Sequence, residues 1–165
     1  MRNGILLVTA AVVLVLVNVG IWQREELITS GRTVLLELAP VDPRSFMQGD
    51  YMALRFKVAN DAFPRGTTAG LRDGCLVLAV DPRDIGTFRR FADGAVAVDE
   101  ALLRYRIRNG QPKFATNAFF FQEGQGELYR IAKFGEFRVA ADGDAILVAL
   151  RDANLQPLGP RAGGG

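Results

Sequence analysis

The chain has 165 residues, with Lys and Arg at 20, Asp and Glu at 18, no histidine and one cysteine. So even a charge balance offers no basic stripe for nucleic acid and no acidic tail for metal. Without histidine, Ser-His-Asp and Cys-His nucleophilic systems and histidine-bearing zinc sites are excluded, and Cys75 alone builds neither a disulfide framework nor a thiolate site. Carboxylates, three lysines (Lys57, Lys113, Lys133), tyrosines and serines remain. That set weighs against an enzyme, and no catalytic residue, metal ligand or cofactor is assigned.

A short tail (1–3) precedes an apolar run at 4–22 that is interrupted only by Asn18 and closed by Trp22. As a helix it spans about 28 Å, close to the hydrocarbon thickness of a bilayer, and Trp22 falls where an aromatic residue anchors at the interface. The exit, Val19-Gly20-Ile21-Trp22-Gln23-Arg24, has no small-x-small cleavage pattern. A retained single-pass anchor is therefore expected rather than a cleaved signal peptide. Arg2 before the span and Arg24 and Arg32 after it leave the positive-inside rule undecided. Because long domains translocate largely regardless of charge, the expected arrangement is an inner-membrane anchor with a periplasmic C-terminal domain. A helical extension (23–31) should stop at Ser30-Gly31, with Gly31 left-handed.

Residues 32–152 read as one mainly β domain. Strands are expected at 33–39, at 51–58 with Met52, Leu54, Phe56 and Val58 on one face, at 75–80 and at 87–91. Another covers 102–108, followed by the hairpin signal Asn109-Gly110. Phe119-Phe120-Phe121 comes next; alternation turns Phe120 away from its neighbours, so the three cannot line one pocket. A short helix at 127–133 would pack Leu128, Ile131 and Ala132 and end at Gly135. A closing hairpin, 137–139 and 145–150, turns at Asp142-Gly143, and residues 153–165 are read as a disordered tail. The expected architecture is a transmembrane helix followed by a small antiparallel β barrel or sandwich with one short helix.

Outside the apolar run, the most specific stretch is Pro40-Val41-Asp42-Pro43-Arg44-Ser45-Phe46-Met47-Gln48-Gly49-Asp50-Tyr51-Met52-Ala53-Leu54-Arg55-Phe56. It contains Gly49-Asp50-Tyr51 with Leu54 and an aromatic at Phe56, and it resembles the bacterial GDYXXLXY protein family. Phe56 stands where the family signature has tyrosine. Asp42-Pro43-Arg44 and Phe121-Gln122-Glu123-Gly124 also resemble this family, over roughly residues 5–152. The resemblance implies a membrane-anchored protein associated with multi-pass membrane proteins.

Two readings of the motif follow. In the structural one, Gly49 permits a close turn, Asp50 accepts backbone N–H groups, and Leu54 and Phe56 enter the core while Tyr51 points outward. In the other, Asp42, Arg44, Asp50, Tyr51 and Glu123 form a polar recognition cluster. The expected function is a membrane-anchored accessory or binding module at the bacterial envelope, working beside a multi-pass integral membrane protein and not with nucleic acid. The alternatives are a signal-peptidase-like Ser/Lys peptidase using Ser45, and a periplasmic domain binding a small molecule or lipid.

Overall fold

The structure, a computed structural model, describes residues 2–40, 47–48, 51–64, 72–116 and 118–159, with the side chains of 2–8 and 47–48 outside that description. Asp42, Arg44, Gly49 and Asp50 also lie outside the described residues.

One helix, α1 (Arg2–Ser30), runs unbroken for 29 residues. From 9 to 22 its side chains are exposed all round, Leu16 at 66% and Trp22 at 64% among them. Among the described residues, no helix is long and apolar enough to cross a membrane. The described side chains begin at Thr9, and Gln23-Arg24-Glu25-Glu26 closes the apolar stretch, so the expected span over 4–22 is met only as far as the helix itself. Its end falls at Ser30, as expected, but for a different reason. Gly31 is not left-handed; a Cβ there would sit 2.4 Å from the Leu27 carbonyl oxygen, against which the Gly31 N–H already donates at 3.0 Å. Close approach, not backbone handedness, requires the glycine.

The remainder is mainly β. An eight-stranded sheet has the order β11 (Pro157–Leu158), β10 (Ala145–Arg151), β9 (Phe134–Val139), β1 (Arg32–Glu37), β5 (Ile85–Phe91), β4 (Gly74–Val80), β6 (Glu100–Arg108), β7 (Gln111–Lys113). A second sheet joins β2 (Met47–Gln48), β3 (Tyr51–Ala53) and β8 (Ala118–Phe120). Pairings are antiparallel except β1 with β5, where Leu35 faces Ile85 in parallel register. The large sheet curls enough for Arg104 N–H to donate to the Gly143 carbonyl at 2.8 Å. Its end strands β11 and β7 nevertheless stay apart in the order, so the barrel expected as one option is not closed.

Both sheets bury their inner faces in one core. Val34 and Leu36 from β1, Leu76 and Leu78 from β4, Leu103 and Tyr105 from β6, Phe137 from β9 and Leu150 from β10 meet Met52, Leu54 and Phe56 there. Local signals set several elements. Asn109 (φ 53°) and Gly110 (φ 69°) are both left-handed, as the two-residue turn joining β6 to β7 requires. Gly143 (φ 89°) turns β9 into β10.

Elsewhere the sequence reading needs correction. The strand expected over 51–58 stops at Ala53; Phe56 makes an isolated bridge to Leu38, and α2 (Lys57–Ala62) follows. Val58 is buried from that helix, not from a strand. The helix expected at 127–133 is the single turn α3 (Gly126–Tyr129), which buries Tyr129; Ala132 beyond it is buried too, whereas Leu128 and Ile131 are exposed. Gly135 ends no helix. It lies inside β9, where a Cβ would come within 3.0–3.1 Å of Phe137, Leu147 and Phe56. The tail assigned from 153 also carries structure, since Pro157 and Leu158 pair with Arg151 and Leu150 and Leu158 is buried.

Candidate functional site: the strand carrying Tyr51

The motif strand is short because its ends do different work. β3 pairs with β2 on one side and β8 on the other, Tyr51 opposite Gln48 and Phe120, Met52 opposite Met47 and Phe119. Alternation then sorts the side chains. Met52 is wholly buried, whereas Tyr51 is half-buried and stacks obliquely on Phe120 with ring centroids 5.8 Å apart. Phe120 itself is 75% exposed. Its neighbours Phe119 and Phe121 turn inward onto Tyr129, at 5.0 and 5.3 Å. The expected split of the phenylalanine run is therefore found, and it leaves Tyr51 and Phe120 as an aromatic pair on the outer side of the small sheet.

Leu54 and Phe56 belong to the core, as the structural reading of the motif expects, each 2% exposed. The Phe56 ring meets Phe137 edge-on at 5.2 Å. Backbone bonds reinforce this: Ala39 N–H donates to the Arg55 carbonyl at 2.8 Å, beside the Leu38–Phe56 bridge. The second half of the motif thus fastens the small sheet to β1. Beside it lies a recess of about 220 Å³ bounded by Arg55, Phe56, Asn60, Phe63, Pro112 and Phe114. Its polar lining, Arg55, Asn60 and Gln111, includes no carboxylate, thiol or hydroxyl.

Glu123 sits in the turn between β8 and α3, beside left-handed Gly124 (φ 82°), and is exposed. No hydrogen bond or ion pair ties it to Tyr51 among the described residues. Of the recognition cluster, then, the structure places Tyr51 and Glu123 on exposed segments without joining them. The other three members, Asp42, Arg44 and Asp50, lie outside the described residues.

Chemistry elsewhere is structural. Lys57 Nζ donates to Asp61 Oδ2 at 3.1 Å; that bond raises its pKa, which holds it as a cation and not as a base. Ser45, the nucleophile a Ser/Lys peptidase would need, lies outside the described residues. Glu100 is buried between Arg90, at 3.0 Å, and Arg89, at 3.4 Å, and also accepts the Ala97 N–H. Glu136, 2% exposed, takes Arg151 Nε and a second guanidinium nitrogen on Oε2, each at 2.8 Å. These arginines hold buried carboxylates in place, and no group of three metal-ligating side chains occurs among the described residues.

One feature escaped the sequence reading. Arg104, Arg106 and Arg108 alternate along β6, so all three project from the face opposite Leu103 and Tyr105. With Arg24 of α1 and Lys113 of β7 they line a recess of about 310 Å³. The signal was present as Arg-x-Arg-x-Arg in a strand of period two; overall charge balance hid it. A larger cavity, about 600 Å³, opens where α1 meets the sheet, between Leu27, Arg32, Glu100 and Val139, away from the motif.

The family model described as GDYXXLXY protein matches residues 13–150, which takes in most of α1 and all of the β domain to the end strand of the closing hairpin. No curated protein and no solved structure is significantly similar to the chain.

Proposed function

The chain belongs to the GDYXXLXY protein family, and from that premise we propose that it is a membrane-anchored accessory or binding module of the bacterial envelope. In this reading α1 is a single-pass inner-membrane anchor, the β domain lies on the periplasmic side, and the domain works beside a multi-pass membrane protein. The observation that carries the proposal is the exposure of α1. Between Val12 and Trp22 every residue but Asn18 and Gly20 is a large apolar side chain exposed to solvent, although apolar surface of that extent is costly in water. The sequence extends the apolar run back to Gly4, which brings it to bilayer length.

The β domain supplies the binding surface. Its buried carboxylates, Glu100 and Glu136, sit in structural pairs with arginines, whereas Tyr51 and Phe120 present aromatic area on the small sheet. Aromatic side chains of this kind anchor protein interfaces more often than they catalyse.

The test uses the full chain at native expression. It should stay in the membrane pellet through alkaline carbonate, and affinity purification in mild detergent should recover a multi-pass protein. An alkaline phosphatase fused after Leu150 should be active outside the cytoplasm. Release by carbonate would remove the anchor, and a monodisperse chain with no companion would remove the accessory role.

A further inference from the structure

The recess below α1 is more basic than anything the fold needs. Its wall carries Arg24, Arg104, Arg106, Arg108 and Lys113 against the single carboxylate of Asp144. Some of this charge is spoken for. Arg104 pairs with Asp142 at 3.0 Å and lies 3.1 Å from Asp144, and Arg108 pairs with Asp73 at 3.2 Å. Arg24, Arg106 and Lys113 have no carboxylate at ion-pair distance among the described residues, and Arg106 feels Asp73 only through space.

One detail sets this cluster apart from a solvated charged face. Arg106 and Lys113 are directly opposite one another in the β6–β7 ladder, a like-charge pairing that costs stability unless something negative lies between. Arg104 already has Asp142 and Asp144 as carboxylate partners, so the uncompensated charge of the recess is that of Arg24, Arg106 and Lys113.

We propose that this recess is an anion site for a phosphate group, and that the phosphate is the headgroup of an anionic phospholipid. Guanidinium forks match phosphate oxygens bidentately, and the recess has room for a headgroup. Depth selects the lipid source, and this step rests on the anchor proposed above. Arg24 lies two residues beyond Trp22, so an α1 that crosses the bilayer sets the recess at the headgroup layer, within reach of lipid phosphates. The site would hold the β domain against the membrane in one orientation.

The experiment takes the full chain in neutral detergent, supplied with equal amounts of phosphatidylglycerol and phosphatidylcholine, and counts retained lipid by native mass spectrometry. Phosphatidylglycerol should be preferred, and Arg106→Gln with Lys113→Gln should reduce that preference about tenfold. Arg106→Lys should keep most of it, and Arg130→Gln, at a surface ion pair with Glu127 on α3, should keep all of it. Equal retention of the two lipids by the unaltered chain, or an unchanged preference in the double variant, overturns the proposal. Glycerol phosphate in solution separates the two sources. Failure to displace the lipid supports the headgroup, whereas displacement at low concentration shows a site for free phosphate and overturns the lipid assignment. Membrane retention through carbonate without lipid preference would leave the anchor standing and remove the site. Release by carbonate, with glycerol phosphate still raising the melting temperature of the unaltered chain only, would remove the anchor and the lipid but keep the anion site.

Discussion

Removing the Phe56 ring tests whether the second half of the motif is a fastening or a recognition element. Phe56 is 2% exposed, its ring meets Phe137 edge-on at 5.2 Å, and its backbone bridges to Leu38. Gly135, against which the Phe56 ring packs, has no side chain to move into the space that Phe56→Ala would leave. A cavity that collapses poorly places the loss in the usual Phe→Ala range, about 3–5 kcal/mol. Against a total stability of roughly 5–15 kcal/mol, that is a large share. Phe56→Tyr keeps the ring and restores the family's hydroxyl; its cost should stay below that of the alanine variant, about 1–3 kcal/mol if the hydroxyl finds no acceptor. Urea titration of the full chain in detergent, followed by near-ultraviolet circular dichroism, reads aromatic packing directly. A loss under about 1 kcal/mol for Phe56→Ala, in the range of ordinary surface substitutions, together with loss of a membrane companion, would refute the packing argument.

Other positions test the rest of the scaffold. Arg151→Met strands the buried Glu136 carboxylate and should cost about 3–5 kcal/mol in the same titration, more than Arg130→Met at an exposed pair. Gly135→Ala inserts a methyl among Phe137, Leu147 and Phe56 and should destabilise by about 1–3 kcal/mol. Asp73 accepts the Ile107 N–H at 2.8 Å and pairs with Arg108; that backbone bond first, and the arginine second, hold its carboxyl below the ordinary 3.8. A lowered folded-state pKa gives stability that is present above 3.8 and disappears as pH falls through the folded value. Asp73→Asn should therefore melt lower than the unaltered chain at neutral pH, and the gap should close on acidification in a pH series of melts.

What the sequence made legible was local. Alternation over 102–108 followed by Asn109-Gly110 named a hairpin, and two left-handed residues at the turn are what that dipeptide is good at. Parity alone put Phe120 on the face opposite Phe119 and Phe121, and the structure makes that face the outer one. The failures share a different cause. Met52, Leu54, Phe56 and Val58 keep strand parity although the chain becomes helical at Lys57, because a short helix and a strand can both bury the fourth position. Lys57 and Asp61, four apart and paired at 3.1 Å, were the overlooked helical signal. The parallel meeting of β1 and β5 is a long-range pairing, which no window of local pattern contains, whereas the return of Pro157–Leu158 to β10 is a hairpin of only six to eight residues whose second strand is two residues long, too short for alternation to show.

The motif divides along the same line. Asp81, in Val80-Asp81-Pro82-Arg83, accepts the N–H groups of Arg83 and Ile85 at 2.8 and 2.9 Å and pairs with the Arg83 side chain at 3.1 Å. An Asp-Pro-x turn can thus spend its aspartate and arginine entirely on its own geometry. Val41-Asp42-Pro43-Arg44 repeats those residue types in sequence and lies outside the described residues. Leu54 and Phe56 are committed to the core. Outside the core stand the aromatic pair of Tyr51 and Phe120, the exposed Glu123 beyond β8, and the arginines of β6, of which Arg104 and Arg108 pair with carboxylates. The aromatic pair sits on the small sheet and suits a protein surface. The arginines sit beside α1 and suit an anionic layer, so under the proposed function the domain would meet the membrane and its membrane partner with different surfaces.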